Sequence, residues 1–135
     1  MGKAVESIKN LQRQQPYELF AHAGLALNLP KEDIMIMRLW HGRTAKGNFE
    51  AYTQFMRERA APDYASVEGN LGCYFSRRLD DEAAHFLLVT LWESIDAVRA
   101  FAGPDPEVAK YYPEDDDFLL EKELTSQLYE VFHKA

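Results

Sequence analysis

Apolar and polar positions alternate in a way that changes period along the chain. Within IMIMRLWHG at 34–42 the first seven residues are apolar except for Arg38 and the run ends at Gly42, which predicts a strand. Phe49, Tyr52, Phe55 and Met56 then recur at spacings of three and four, predicting a helix over 45–59 with Thr44 as its cap. Pro62 is expected to close that helix. Gly69-Asn70 marks a turn, LGCYFSRR alternates as a second strand, and residues 79–82 read as a hairpin loop. AHFLLVTLW is the third strand. Ser94 suits the cap of a second helix, IDAVRAFA, and Gly103 its C-terminal end. Asp105-Pro106 predicts a short helix through Tyr112, PEDDD a solvated loop, and LTSQLYEVFH the last strand.

The order strand, helix, strand, strand, helix, strand is the split βαβ or ferredoxin-like arrangement, an α+β fold. It predicts one four-stranded antiparallel sheet with both helices on one face, occupying residues 34–135. Residues 1–33 differ in character. Val5, Ile8 and Leu11 recur every three residues, a second helical stretch is expected over 17–28, and Pro16 lies between them. This region reads as an N-terminal helical arm laid on the main domain.

Strand one carries Ile34, Ile36, Arg38 and Trp40 on one side and Met35, Met37, Leu39 and His41 on the other. Strand three sets Phe86, Leu88, Thr90 and Trp92 against His85, Leu87, Val89 and Leu91. Both sides are largely apolar, yet two helices cover only one. Leaving Leu87, Val89 and Leu91 wet costs roughly 1.5–3 kcal/mol each relative to burial. The expected remedy is a two-fold homodimer with the sheets face to face. The competing explanation is that the N-terminal arm covers that side.

Composition narrows the partners. The chain has 135 residues, enough for one domain, and 47% are apolar, which suits a folded core. A net charge of −7 argues against nucleic acid and anionic membranes. No transmembrane span is read, and the stretch before Ala21-His22-Ala23 is too polar for a secretion signal, so a cytoplasmic location is expected. Cys73 is a single cysteine, so no internal disulfide forms, and its place beside Tyr74 and Phe75 reads as packed. No pair of histidines has metal-ligand spacing, no phosphate loop or nucleophile elbow is present, and the acidic run at 114–117 lacks the spacing of a calcium loop. No metal or cofactor is expected. The fold also admits an RNA-binding sheet, which the acidic charge and the lack of an aromatic basic motif argue against.

The strand–helix pattern, with the corner LWESIDAVRAF, the opening IMRLWHGRT, the turn and strand GNLGCYFSRR and the segment AKYYPEDDDFL, resembles the antibiotic biosynthesis monooxygenase (ABM) superfamily of dimeric α+β barrels. The resemblance covers about 34–133. It implies a homodimer with a pocket between helices and sheet in each subunit, and oxygenation of polyphenolic or quinol-like molecules without metal or flavin. Some members degrade haem with a histidine after the corner Trp and an asparagine on strand one. Here only Trp92 corresponds, since 100–112 holds Lys110, Tyr111 and Tyr112 but no histidine, and strand one has no asparagine.

The candidate residues each carry two readings. Trp92 either wedges the sheet against the following helix or walls a flat ligand; Trp40, Tyr52 and Tyr111 stand as further wall or as core. Arg38, in so apolar a run, needs a partner: a carboxylate such as Glu130, or the anionic oxygen of a phenolate or enolate. His41 has the chemistry of a general base near neutrality, or is a solvated strand-end residue. His85 reads as packed or interfacial. The expected function is a cofactor-independent monooxygenase with His41 as base, Arg38 as anion partner, and Trp40, Tyr52, Trp92 and Tyr111 positioning a planar substrate. The alternative is a small-molecule-binding or partner-binding protein of the same fold without catalysis.

Overall fold

Four strands form a single sheet in the order β2-β3-β1-β4, every neighbouring pair antiparallel. They are β1 (Met35–Thr44), β2 (Asn70–Leu79), β3 (Ala84–Trp92) and β4 (Gln127–Val131). This is the ferredoxin-like α+β arrangement. The computed structural model describes residues 34–135, and the helical stretches expected at 1–33, with His22, lie outside the described residues. No helix among the described residues is long and apolar enough to cross a membrane.

The first connection departs from the sequence expectation in an instructive way. Thr44 ends β1 instead of capping a helix, its hydroxyl turned to the Ala45 carbonyl. A 3-10 turn at Lys46–Asn48 leads into α1 (Phe49–Phe55), a π-helical stretch at Met56–Ala60, and α2 (Ala61–Ser66). Pro62 therefore opens α2 rather than closing the helix. A proline is tolerated in a first helical turn, where its missing N–H has no obligatory acceptor. The wider π turn immediately before it re-registers the backbone. Tyr64 is carried into the core by this extension.

The second helix matches its signals. The Ser94 hydroxyl accepts from the Ala97 amide at 3.1 Å at the start of α3 (Ile95–Ala102), and Gly103 ends it at φ +110°, a backbone most side chains resist. Residues 105–112 are not helical. Asp105 makes an Asx turn to the Glu107 amide at 3.1 Å, after which Val108 bridges antiparallel to Thr125. The PEDDD run forms a 3-10 turn (Pro113–Asp117), and Asp115 within it is buried, not solvated. β4 is shorter than LTSQLYEVFH.

The two sides of the sheet are unlike. Ile36, Trp40, Phe86, Leu88, Trp92 and Leu128 face the helices and pack against Tyr52, Met56, Tyr64, Ile95, Val98 and Phe101. Each fully buried side chain of this size contributes about 1.5–3 kcal/mol. On the other side Met35, Met37 and Leu39 are half-buried, while Leu87 is 39%, Tyr129 51% and Tyr74 65% exposed. The alternation predicted for β1 and β3 is therefore observed.

Candidate functional site

A parity of two along β1 puts Arg38 and Trp40 among the helices. Arg38 is 1% exposed. Its Nη2 donates to the Val108 carbonyl at 3.3 Å, but Nε and Nη1 have no acceptor. The predicted carboxylate partner is absent: Glu130 lies opposite Ile36, and Leu128 opposite Arg38. The guanidinium lies 5.6 Å from the centre of the Phe101 ring. Burial pulls its pKa below the ordinary arginine value, opposed first by Tyr64, through charge and a side-chain hydrogen-bond approach to the guanidinium, and then by the phenols of Tyr111 and Tyr112. A buried cation left with open donors is costly unless an anion completes it.

Two further buried donors are unfilled. Trp40 Nε1 and Ser126 Oγ are buried and without partners. Ser126 stands one residue beyond the Leu39–Gln127 pair, so continuing that register sets it beside Trp40. Among the described residues, the buried side-chain polar atoms without a partner all belong to Arg38, Trp40 and Ser126. Native structures leave few such groups, and here they fall on three residues that neighbour one another along β1 and its continuing register. The Trp40 ring is edge-on to Tyr111 at 5.9 Å and lies over Gly42, where a Cβ would sit 2.6 Å from it.

The other predicted wall residues are internally committed. Trp92 is fully buried, donates to Thr90 Oγ1 at 2.8 Å, and stands 5.3 Å from Phe101. Tyr52 donates to Asp115 Oδ1 at 2.7 Å, and the other oxygen of that carboxylate accepts the Tyr112 amide at 2.7 Å. Burial raises the pKa of both Tyr52 and Asp115. The Tyr111 hydroxyl donates to the Glu123 carbonyl at 2.6 Å, and burial lifts its pKa to about 12.

His41 lies on the opposite side of the sheet from Arg38, as its odd position requires. Its Nδ1 meets Glu123, and its Nε2 meets His85 Nδ1 at 3.1 Å. His85 Nε2 in turn meets Asp80 Oδ2 at 2.7 Å. A hollow of about 290 Å³ opens beside them, lined by Leu39, His41, Leu87, Glu123, Thr125 and Gln127. The structure thus brings Arg38, Trp40 and Tyr111 together and places His41 apart from them.

Tyr64 and Val108 beside Arg38, and Ser126 beside Trp40, are neighbours of the candidate site that the sequence pattern does not single out. Ser126 is legible in principle, since it shares the parity of Leu128 in the last strand. Tyr64 is hidden behind Pro62, and Val108 is brought to Arg38 by a loop with no periodic signal.

No family profile and no curated protein matches this chain. Among solved structures it is similar to a candidate antibiotic biosynthesis monooxygenase from Bacillus cereus, at 12% identity and a TM-score of 0.49, over 76% of this chain and 97% of the other.

Proposed function

We propose that this chain is an ABM-type protein that binds a planar small molecule carrying an acidic oxygen, on the helix-covered side of β1. The supporting observation is the cluster of unfilled buried donors on Arg38, Trp40 and Ser126. Arg38 takes the anionic oxygen through charge-assisted hydrogen bonds, and Trp40 and Ser126 take a second oxygen. A phenolate or quinol-like anion fits both requirements. The homodimer belongs to the same proposal, since a second copy would bury Tyr74, Leu87 and Tyr129.

The chemistry proposed is cofactor-independent oxygenation. Arg38 stabilises the substrate anion, which lowers its pKa in the site, so the ligand binds already deprotonated and no histidine is needed as base. Dioxygen adds at an electron-rich ring carbon conjugated with the anionic oxygen. One oxygen atom remains as a new carbonyl, the other leaves as water with the single hydrogen of that ring carbon and one proton from solvent, and the substrate supplies all the electrons.

The non-catalytic reading keeps the same site and omits the reaction. It is favoured by one observation: His41, the residue best suited as a base, faces the other side of the sheet. Calorimetry and oxygen uptake across phenols, quinols and aromatic carboxylates separate the two. Binding with uptake supports the oxygenase, and binding alone supports the carrier. Unchanged binding in both Arg38→Met and Trp40→Phe overturns the site itself.

A further inference from the structure

We propose that Glu123, His41, His85 and Asp80 form a proton-dependent latch that holds the strap at 119–126 over the Arg38 site; this rests on the reading of that site given above. The strap is tied at both ends. Leu119 bridges to Thr44, and the Leu120 amide donates to the Arg43 carbonyl at 2.9 Å. At the far end the Ser126 amide donates to the Glu107 carbonyl at 2.7 Å. Its middle is held by side chains, Arg43 Nε to Glu121 at 3.0 Å and His41 to Glu123, and by one backbone bond, the Ala109 amide donating to the Leu124 carbonyl at 3.1 Å.

What the strap carries makes it relevant to Arg38. The Glu123 carbonyl accepts the Tyr111 hydroxyl, and Tyr111 packs on Trp40. Thr125 pairs with Val108, whose carbonyl takes the Arg38 guanidinium. Arg38 is 1% exposed, so a ligand reaches it only when a covering element moves, and this layer is one of them.

The proton dependence follows from counting hydrogens. Three contacts run in series: Glu123 to His41, His41 to His85, and His85 to Asp80. All four imidazole nitrogens are used. With ionised carboxylates, each contact needs one hydrogen on a ring nitrogen, so three are required. Two neutral imidazoles carry two. The complete array is therefore a singly charged histidine pair between two carboxylates. Losing that proton leaves one contact with lone pairs opposed.

The charged neighbours are of both signs: Arg43 and Arg78 stand cross-strand from His85 and oppose a further proton there, each offset by a carboxylate, Glu121 and Asp80. The strap brings Glu121 and Glu123, with Glu121 also drawn by Arg43 on β1. The hairpin brings Asp80, shared with Arg78 at 3.5 Å, and Glu82 lies near Arg43. Lys122 is turned away to Asp116.

The test is amide hydrogen exchange of the free protein, corrected for intrinsic rates, at about pH 5.5 and about pH 8.5. Protection of 121–125 is expected to fall by about fivefold at the higher pH, the scale of one exposed ion pair. His85→Leu, or Glu123→Gln should that variant not fold, is expected to show low protection at both. Release of 2-naphthoate, whose charge is constant over this range, is expected to quicken in parallel. Exchange that is independent of pH, or equally pH-dependent in the variant, overturns the latch. Arg38-dependent binding of 2-naphthoate with no change in exchange overturns the latch and spares the site. The expected exchange without any naphthoate binding supports the latch and overturns the anion site.

Discussion

Arg38 and His41 are three positions apart on one strand and have opposite fates. Arg38 is sealed among helices with two nitrogens unfilled, while His41 on the open side has both ring nitrogens engaged. The covered side is well packed and polar-deficient, with donors waiting for an acceptor. The open side is loosely covered, and its polar groups satisfy one another. Unfilled donors inside a dense core are what the proposed anion site requires, whereas the array on the open side is complete only while its histidine pair carries the extra proton.

Removing a pillar of the covered side has the largest expected effect. Trp92→Ala leaves a cavity between β3 and α3 and costs about 3–5 kcal/mol in denaturant titration. Leu87→Ala on the open side, similarly apolar but 39% exposed, costs well under half of that in the monomer. Equal losses would erase the distinction between the two sides.

Next comes Arg38→Met. It removes a buried cation lacking a carboxylate, so the free protein is expected to gain about 1–3 kcal/mol, while affinity for an aromatic anion falls roughly 10- to 100-fold. A simultaneous loss of stability and binding would make Arg38 a structural residue.

Leu87→Asp probes what lies over the open side. Sedimentation should show the dimer weakened by about tenfold or more, with the 15.5 kDa monomer folded. A wild-type protein that sediments as a monomer sinks the dimer proposal.

The smallest effect separates two aspartates by sign. Backbone amides of Glu82 and Ala83, then His85, hold the Asp80 carboxyl well below its ordinary range. Its folded pKa is depressed, so its contribution is present above the unfolded value and is lost as pH falls below about 4. Asp80→Asn should flatten the acid limb of a stability–pH profile. Burial raises Asp115 instead. Its protonated form is relatively favoured in the fold, so it stabilises at low pH and that contribution declines as pH rises above about 4. Asp115→Asn should remove this opposite slope, measured by denaturant titration at stepped pH.

Much of the fold is legible in the order of residues alone. Period two in β1 and β3 assigns each side chain to a side, Ser94 and Gly103 bound α3, and the element order implies the sheet. Those features are local, set by strand geometry and backbone preference within a few residues. The helix boundary fails at Pro62, because a preceding π turn makes room for a proline that the local rule treats as a stop. Asp115 fails because burial of an acid depends on distant donors, here Tyr52 from α1.

By itself the sequence determined the ferredoxin-like order of elements and the parity that separates Arg38 and Trp40 from His41. Only the tertiary structure decided what each of them meets. It set Val108 against Arg38 without a carboxylate, left Trp40 and Ser126 unfilled, and joined His41 to His85, Glu123 and Asp80. The physical reason is range. Side-chain direction follows from neighbouring backbone torsions, whereas hydrogen-bond satisfaction depends on groups up to 82 residues away in sequence, brought in by loops that carry no periodic signal.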